Sequence, residues 1–584
     1  MDALHQANGF GNEDASSLQA STTTRYTPST LSYVLLILIL TLLTTRLLSG
    51  QHTRPRILAN NALTVPTVPY WLPFLGHLPS LSWDASTFTT HLRTAYPKGA
   101  FALTLGGTTH NIIHHPSLVS ALLTHRSPAA SSDDIGKRIL VRVFGLPRRD
   151  LPAYTAALPD LQACYKHILT SPGLDTLVAQ TASKIKENAL FLVSFAPSLV
   201  DQPPWERAAD TSLTTNAAGT AVVEASPLPL IRDWCAHTAN PAIIGSNFLP
   251  NNPTFLSDLW TLDRGILALI AGLPRWVPIP RITRAHIAKQ NILRALDAFH
   301  RAMDAEANGQ DPGPDWRDLD DVGDLVKARM AVYRRHGFSI RARAAAEHSL
   351  LWAANANANV LVFWLLNRIY ASPALLADIR AEIAPHVRVV QPASDLPIPE
   401  LPRFEALDVE ALCTRCPLLK SCYVECLRLD AASWSPREVR EDFVLQARGE
   451  GKETAAWQLR KGEYAHAAHD LYNTDPAYFS DPMTWKADRH IRYESTGEGD
   501  TKRAVVDSGS LRPYGGGSSM CKGRAFALKE VLAFTASVVA VWEMEAAGGG
   551  EWKVPRHRKA TGVFGTGDDV RVWIKKRELP GKSG

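Results

Sequence analysis

The sequence lacks a large excess of charge of either sign. Its 584 residues include 62 Lys and Arg against 57 Asp and Glu, a formal net charge of +5. No stretch interleaves basic and aromatic residues as RNA-binding segments do, so we expect no nucleic-acid partner. The chain also contains no internal repeat, and with 45% hydrophobic residues it can bury a large core.

Histidine is missing where cysteine is crowded. Four of the seven cysteines, Cys413, Cys416, Cys422 and Cys426, lie in one short segment, and no histidine completes a zinc-finger spacing with them. The pair Cys413 and Cys416 leaves a zinc site as the lesser alternative. The favoured interpretation is a set of buried thiols in a reducing compartment.

The N-terminal region has no clear small-x-small cleavage site, which argues against a cleaved signal peptide. Residues 31–48 form an apolar run that, at about 1.5 Å per residue, covers most of a bilayer core of about 30 Å. Arg46, Arg54 and Arg56 lie at its exit, so the positive-inside rule places the rest of the chain in the cytosol. We predict a disordered polar leader at 1–30, a transmembrane anchor at 31–48 and a proline-containing hinge at 49–67.

One cysteine stands in a glycine-rich segment near the C-terminus. Residues 514–524 read YGGGSSMCKGR and lead into a helical stretch predicted at 525–532. A thiolate at Cys521 is favoured there, because the N–H groups and the dipole at a helix N-terminus both stabilise negative charge. The glycines let the backbone pass close to a flat ligand. The loop alone supports a metal-bound thiolate and a buried cysteine beside a turn about equally.

The loop resembles the haem-thiolate loop of the cytochrome P450 family, Phe-x-x-Gly-x-Arg-x-Cys-x-Gly. Gly517, Cys521 and Gly523 match this pattern, and Tyr514 replaces the phenylalanine conservatively. The resemblance implies a bound haem b (iron protoporphyrin IX) with Cys521 as the axial thiolate ligand of the iron. Tyr514, Gly517 and Gly523 are then expected to take part in binding the cofactor.

Ser519 departs from the family pattern, in which most members carry an Arg or His that holds a haem propionate. The branch that contains cholesterol 7-alpha-hydroxylase and prostacyclin synthase shows the same departure, and the residues after Cys521 resemble fungal members of that branch. Arg437 matches an arginine that commonly binds a propionate in the family. We expect Arg437 to substitute for the residue missing at position 519.

A second motif lies upstream of the cysteine loop. Glu425 and Arg428 are spaced i, i+3 on a predicted helix, a pair that by itself is common on solvated helices. Residues 485–490 resemble the family's Phe-x-Pro-Glu-Arg-Phe segment and supply Arg489. The three side chains are expected to form a charge-assisted triad, since forked guanidinium groups suit a partly buried carboxylate. In the family this triad braces the core behind the haem loop, so its role here is structural.

A long apolar stretch at 344–370, with Ser339 as a plausible N-cap, predicts a helix. The resemblance places it where the family's central helix crosses the haem. Ala354, Asn357 and Ala358 share one face at helical spacing, and small residues there let the helix approach a porphyrin. Ala354 is therefore predicted to contact the cofactor.

The usual monooxygenase carries an acid followed by Thr on this helix, a pair that relays protons to dioxygen. This chain has Asn357 and Ala358 at those positions, so they are the candidate catalytic residues, although neither supplies the acid or the hydroxyl of that relay. Asn355 and Asn359 are more simply explained as packing amides bonded to neighbouring turns.

The resemblance implies a mainly α fold with a small β portion: one large catalytic domain at 68–579 behind the anchor, with a short tail at 580–584. Within it, the hairpin strands 101–105 and 111–114 and a late strand at 570–574 are predicted from alternating patterns and glycine turns. The polar, aperiodic segment 201–226 is predicted to be an insertion loop.

The implied function is a monooxygenase that uses dioxygen and electrons from an NADPH-cytochrome P450 reductase. Its substrate would be a lipophilic molecule of terpenoid, sterol or polyketide type in specialised metabolism, and its location the endoplasmic reticulum membrane with a cytosolic catalytic domain. Ala358 motivates a rival, a reductase-independent isomerase or dehydratase acting on a peroxide. A non-catalytic haem-binding sensor or carrier is the third hypothesis.

Overall fold

The structure, a computed structural model, describes residues 28–124, 129–392, 400–431, 434–447, 455–495, 502–558 and 560–579. The predicted tail and nearly all of the predicted leader lie outside these ranges. The first helix runs over Pro28–Gly50. Its part Thr30–Gly50 is long and apolar enough to cross a membrane, and none of its most apolar window is buried against the protein. An N-terminal apolar helix of this kind is consistent with the predicted anchor.

The body of the molecule is mainly helical, about 52% helix and 15% strand, as the fold prediction required. Its longer helices are Leu78–Ala95, Pro116–Thr124, Leu151–Ala163, Gly173–Asn188, Pro227–Ala239, Phe255–Ile270, Pro280–Ala307, Asp324–Arg335, Ile340–Asn355, Ala358–Tyr370, Pro373–Ile383, Pro417–Leu429 and Arg524–Val541. Shorter helices are Asp133–Ile139, Lys166–Leu169, Pro204–Ala208, Pro241–Ile244, Phe248–Asn251, Val409–Arg415 and His469–Asn473.

The strands form small sheets beside the helices. The largest has the order Ala100–Leu105, Thr108–Ile113, Tyr464–Ala468, Trp434–Val439 and Ala130–Ser131. A three-stranded sheet contains Leu63–Thr64, Trp457–Leu459 and Phe443–Leu445, and a four-stranded sheet contains Trp542–Ala546, Val572–Lys576, Ala221–Ala225 and Ser212–Thr215. Three further pairs are Ile491–Ser495 with Lys502–Val506, His557–Arg558 with Gly565–Thr566, and Val387–Val390 with Arg403–Leu407.

The helix that follows the cysteine loop, Arg524–Val541, lies at the centre of the main core. Nearly every residue of its last three turns is buried, including Phe534, which meets the ring of Trp234 edge-on at 5.0 Å. A helix that is apolar on all sides has to be surrounded. This burial fixes the start of the helix, and therefore the cysteine loop, relative to the central helix.

The local patterns located two β elements correctly. The predicted hairpin is present as Ala100–Leu105 and Thr108–Ile113, turning through Gly106 and Gly107, both with positive φ. The late strand is Val572–Lys576.

The prediction of an insertion loop at 201–226 was wrong. The segment contains an antiparallel pair, Ser212–Thr215 with Ala221–Ala225, and the second strand continues a sheet through Val572. Its polar, irregular pattern arises because Ser212–Thr215 is an exposed edge strand.

The central helix is also interrupted where a continuous one was predicted. It runs over Ile340–Asn355, begins at Ser339, whose hydroxyl accepts from the N–H of Ala342, and resumes at Ala358–Tyr370. The break falls at Asn357, which has φ −117° and ψ −55°. The interruption coincides with the residues predicted to face the cofactor.

Candidate active site

The cysteine loop packs against the end of the helix Pro116–Thr124. Gly517 has φ +64°, and a Cβ added there would lie 2.0 Å from the carbonyl oxygen of Leu123. Only glycine fits this position, for both its conformation and its space. The N–H of Cys521 donates to the carbonyl of Tyr514 at 3.0 Å, which closes the loop before the helix begins at Arg524.

Cys521 is exposed, whereas the other six cysteines are buried and none forms a disulfide. Burial raises the pKa of Cys413 to about 11 and that of Cys416 to about 12, so these thiols stay protonated at neutral pH. Within the described part of the chain, no group of three or more His, Cys, Asp or Glu side chains could hold a metal ion. The crowded cysteines therefore behave as core residues, and Cys521 is the accessible thiol.

A cavity of about 540 Å³ opens beside this thiol. Its wall includes the loop residues Tyr514, Gly515, Ser519, Cys521 and Gly523, the central-helix residues Leu350, Ala353, Ala354, Asn357 and Ala358, and residues from two further segments, Ala431, Ser435, Gly562 and Val563. The central helix contributes mainly small side chains to the wall. The space is therefore flanked by a thiol and by a helix face able to approach a flat group closely.

The side chain of Asn357 is hydrogen-bonded to a residue near the C-terminus of the chain. Its Oδ1 atom accepts a hydrogen bond from the N–H of Val563 at 3.0 Å. Gly562 lies directly against it, since a Cβ at position 562 would be 2.1 Å from the same oxygen. The amide carbonyl is thus occupied in fixing a cavity wall. At the adjacent position, Ala358 has no hydroxyl to donate or accept a proton.

The two neighbouring asparagines are packing residues. Asn355 and Asn359 are each 2% exposed. Asn355 exchanges hydrogen bonds with Asn240 at 2.9 and 3.0 Å, and Asn359 donates to Asn355 at 3.1 Å. These amides satisfy one another inside the protein, whereas Asn357 faces the cavity.

The structure brings Arg437 and Ser519 together. Nη2 of Arg437 donates to the hydroxyl of Ser519 at 2.6 Å, and Nη1 donates to the carbonyl of Pro436 at 2.9 Å. Among the described residues, no carboxylate forms an ion pair with this buried guanidinium. Burial lowers the pKa of Arg437, while Asp133 acts in the opposite direction. A buried cation without an ion-pair partner at a cavity edge is suited to binding an anionic group.

The predicted triad residues also meet. Arg428 donates through Nε and Nη2 to the two oxygens of Glu425, both at 2.8 Å, and Nε of Arg489 donates to Glu425 at 3.0 Å. Arg428 also donates to the carbonyls of Asn473 and Pro482. The cluster therefore joins the helix Pro417–Leu429 to the segment that leads toward the cysteine loop.

Sequence reasoning missed two further partners of Glu425. Nε2 of His490 lies 3.0 Å from Oε2 of Glu425, and the N–H of Lys486 donates to Oε1 at 3.0 Å. Burial favours a raised pKa for Glu425, but the hydrogen bonds from Arg428 and His490 outweigh it and lower the pKa to about 2. His490 directly follows Arg489 in the sequence, and this adjacency is the signal by which it could have been identified as a partner of Glu425.

A buried carboxylate at the end of the same helix was missed as well. Asp430 is 0% exposed, and its Oδ1 accepts from Arg368 at 2.6 Å and lies 2.8 Å from Nε2 of His557. Its backbone carbonyl accepts from the N–H of Phe564 at 2.8 Å. Two hydrogen bonds thus fix the turn at 562–564. The backbone carbonyl of Asp430 holds Phe564, and the side chain of Asn357 holds Val563.

These features fit a haem. The exposed thiol forms one part of the cavity wall, and small side chains on the central helix form another. The glycine turn at Gly517, which has no room for a Cβ, lets the loop that carries the thiol pack against Leu123. Arg437 and Ser519 would hold a carboxylate of the group. Four of the residues predicted to bind the cofactor line the cavity: Cys521, Tyr514, Gly523 and Ala354. The other two do not line it. Gly517 packs against Leu123, and Arg437 contacts the lining residue Ser519.

The comparisons with known proteins agree with this fit. Residues 275–564 match the family model described as cytochrome P450. The chain is 24% identical over 572 residues to the cytochrome P450 monooxygenase efuG of Hormonema carpetanum, covering 91% of this chain and 94% of that protein. It is 22% identical over 535 residues to the cytochrome P450 monooxygenase poxD of Penicillium oxalicum, covering 91% and 96%. It is 27% identical over 299 residues to cytochrome P450 7A1 of Oryctolagus cuniculus, covering 50% and 52%.

Proposed function

Because this chain is a member of the cytochrome P450 family, we propose that it is a membrane-anchored haem-thiolate monooxygenase that oxidises a lipophilic small molecule. The observation that carries the proposal is the exposed thiol of Cys521 in the wall of a cavity that Ala354, Asn357 and Ala358 also line. Its electrons would come from an NADPH-cytochrome P450 reductase in the endoplasmic reticulum membrane.

Cys521 would ligate the iron, and a haem held in this way supplies the activation of dioxygen for insertion into unactivated C–H bonds. The turn around Gly517 holds the thiol at the cavity wall, since it allows the loop to lie against Leu123. Arg437 and Ser519 would bind a propionate. Asn357 and Asp430 fix the turn at 562–564, which would orient the substrate over the reacting face.

A lipophilic substrate is supported by the anchor and by the apolar character of much of the cavity. Leu350, Ala353, Leu427 and Val563 are among its lining residues. Apolar side chains in a cavity wall bury ligand surface and exclude water. The fungal relatives are named as monooxygenases, which supports the reaction class. A terpenoid, sterol or polyketide of specialised metabolism is the substrate class that we propose.

A peroxide isomerase or dehydratase is the second candidate. The observation that favours it is the pair Asn357 and Ala358, since the amide carbonyl of Asn357 is already bonded to Val563 and Ala358 offers no hydroxyl. An enzyme that rearranges a peroxide has no need to deliver protons to dioxygen at these positions.

The test uses the full-length protein in membranes with a purified reductase. The reduced, carbon-monoxide-treated protein should show the red-shifted band of a thiolate-ligated haem, and Cys521→Ala should lack it. Cys164→Ala, which changes a buried thiol, is the control. Dioxygen and NADPH consumption with a lipophilic substrate would support the monooxygenase. Turnover of hydroperoxides without dioxygen uptake would support the isomerase instead.

A further inference from the structure

The turn that carries Phe564 is attached to two helices. The N–H of Phe564 donates to the carbonyl of Asp430 at 2.8 Å, and its carbonyl accepts from Nε1 of Trp364 at 2.6 Å. Trp364 lies on the helix Ala358–Tyr370, and Asp430 directly follows the helix Pro417–Leu429. Trp364 is 0% exposed, so its indole cannot move without repacking the core. Both backbone polar groups of Phe564 are therefore held by fixed parts of the fold.

His557 completes this attachment from the solvent side. Its ring stacks on the ring of Phe564, with centroids 4.7 Å apart, and meets the ring of Trp364 edge-on, also at 4.7 Å. Its Nε2 lies 2.8 Å from Oδ1 of Asp430. Ring pairs at these separations and hydrogen bonds to a carboxylate are both stabilising. His557 thus contacts Phe564 and both of the residues that hold its backbone.

The carboxylate of Asp430 keeps a partner when the histidine is replaced. Arg368 donates to it through Nη2 at 2.6 Å and through Nε at 3.4 Å. A buried carboxylate without any cation would be strongly destabilising, but here the guanidinium remains. The side chain of His557 is 34% exposed, so its removal opens no closed space in the core. His557 can therefore be changed while the fold around Asp430 persists.

The residue next to Phe564 forms part of the cavity wall. Val563 lines the cavity and is 6% exposed. Within the described part of the chain, neither His557, Trp364 nor Asp430 lines it. A ligand in the cavity would therefore contact the turn and not the three residues that hold it. A substitution at His557 can affect such a ligand only by changing the position or the mobility of the turn.

We infer that His557 is a positioning residue that holds the turn at Val563 as a fixed wall, and that this wall selects substrates by their shape. The inference rests on the proposed function and concerns the selectivity of the same site. A wall held at several points rejects a bulky ligand because it cannot withdraw from it. It also favours a ligand that fits, since no ordering of the turn is needed on binding.

Hydrogen exchange measures how firmly the turn is held in the detergent-solubilised full-length protein. His557→Ala should speed exchange of the peptide that contains Val563 and Phe564 roughly tenfold, because local opening becomes easier. His557→Phe keeps the ring and His557→Gln keeps an N–H donor, so each should show a smaller increase. His336→Phe is the matched control. Nε2 of His336 lies 2.8 Å from a carboxylate oxygen of Asp160, the same kind of contact, and exchange in the turn should not change.

Selectivity is measured with two azoles, the slim 1-phenylimidazole and the bulky clotrimazole, by spectral titration of the haem-loaded protein. Both bind iron through the same kind of ring nitrogen, so the ratio of their dissociation constants reports on the cavity wall. His557→Ala should shift this ratio in favour of clotrimazole by roughly threefold, because a loosened turn can withdraw from it. His557→Phe should restore part of the original ratio, and His336→Phe should leave it unchanged.

Two results would overturn the inference. The first is unchanged hydrogen exchange in His557→Ala, which would show that the histidine does not hold the turn. The second is faster exchange with an unchanged azole ratio, since a merely structural role would weaken both azoles equally. A normal thiolate band in every variant would show that such a failure concerns His557 and not the proposed function.

Discussion

The side-chain carbonyl of Asn357 accepts a hydrogen bond from the backbone N–H of Val563 at 3.0 Å, although the two residues are 206 positions apart. The bond joins the break in the central helix to the turn that forms another part of the cavity wall. The side chain of Asn357, a candidate catalytic residue, is thus bonded to the wall that would orient the substrate.

The contact between Asn357 and Gly562 predicts a non-additive pair of substitutions. Asn357→Ala should lower the free energy of unfolding by about 1 kcal/mol through loss of the hydrogen bond. Gly562→Ala should cost about 1–3 kcal/mol, because the new Cβ would lie 2.1 Å from Oδ1 of Asn357. In the double variant the clash disappears, so its cost should be smaller than the sum of the two.

Urea unfolding of the three variants measures this coupling. Asn357→Asp, which keeps an acceptor oxygen, is the control for the hydrogen bond and should lose less stability than Asn357→Ala. Strictly additive losses would show that the side chain of Asn357 and the turn are independent.

The triad predicts a pH dependence of stability. The pKa of Glu425 is about 2 in the folded protein, below the value near 4.3 of an unfolded chain. A lowered folded-state pKa stabilises the protein fully above the unfolded value, and that contribution is lost as the pH falls from about 4.3 toward 2. It amounts to roughly 3 kcal/mol.

The measurement compares urea midpoints of the unmodified chain and of Glu425→Gln between pH 7 and pH 3. The unmodified chain should be much the more stable at pH 7, and the difference should shrink at pH 3. Glu410→Gln, which changes an exposed carboxylate paired with Lys529, is the control and should show little pH-dependent difference. A Glu425→Gln difference that is constant with pH would contradict the assigned ionisation.

Local patterns were sufficient for the elements whose determinants lie close together in the sequence. Ser339 caps the central helix by accepting a hydrogen bond from the N–H of Ala342, three residues later. The tight turn of the cysteine loop could likewise be predicted from the glycines within it. The break at Asn357 could not be predicted, because the residue that holds it lies near the C-terminus. The strands at 212–225 were missed for the same reason, since they are completed by Val572–Lys576.

The candidate site also contains some contacts between residues that are close in the sequence and others between residues that are far apart. Glu425 and Arg428 are three residues apart on one helix face, and the cysteine loop is a continuous motif, so both could be recognised in the sequence. The carboxylate of Asp430 meets Arg368 and His557, which lie 62 and 127 positions away in the sequence. No window of sequence contains these contacts, so they could not be recognised before the fold was known.

The contact between Arg437 and Ser519 predicts a compensating pair. Arg437→Ala should weaken haem retention, because it removes the buried cation expected to hold a propionate. Ser519→Arg in the same protein should restore part of the loss, since position 519 adjoins the vacated space. Haem content after gel filtration and the rate of haem transfer to apomyoglobin measure retention. Arg440→Ala, an arginine paired with Asp134 near the surface, is the control. Retention that is unchanged in Arg437→Ala would contradict the assignment.

Ala358 predicts how the proposed monooxygenase can be improved. Ala358 lines the cavity and is only partly buried, so a slightly larger side chain can be accommodated. Ala358→Thr would place a hydroxyl where the family usually has one, and product formed per NADPH should rise if protons are delivered to dioxygen there. Ala358→Val is the matched control, because it has nearly the shape of threonine without the hydroxyl. If product per NADPH rises in both variants, the effect is one of packing. If it rises in neither, position 358 has no role in proton delivery. A gain confined to threonine would show that the hydroxyl is the limiting group, and the rival peroxide isomerase, which consumes no NADPH, would then be eliminated.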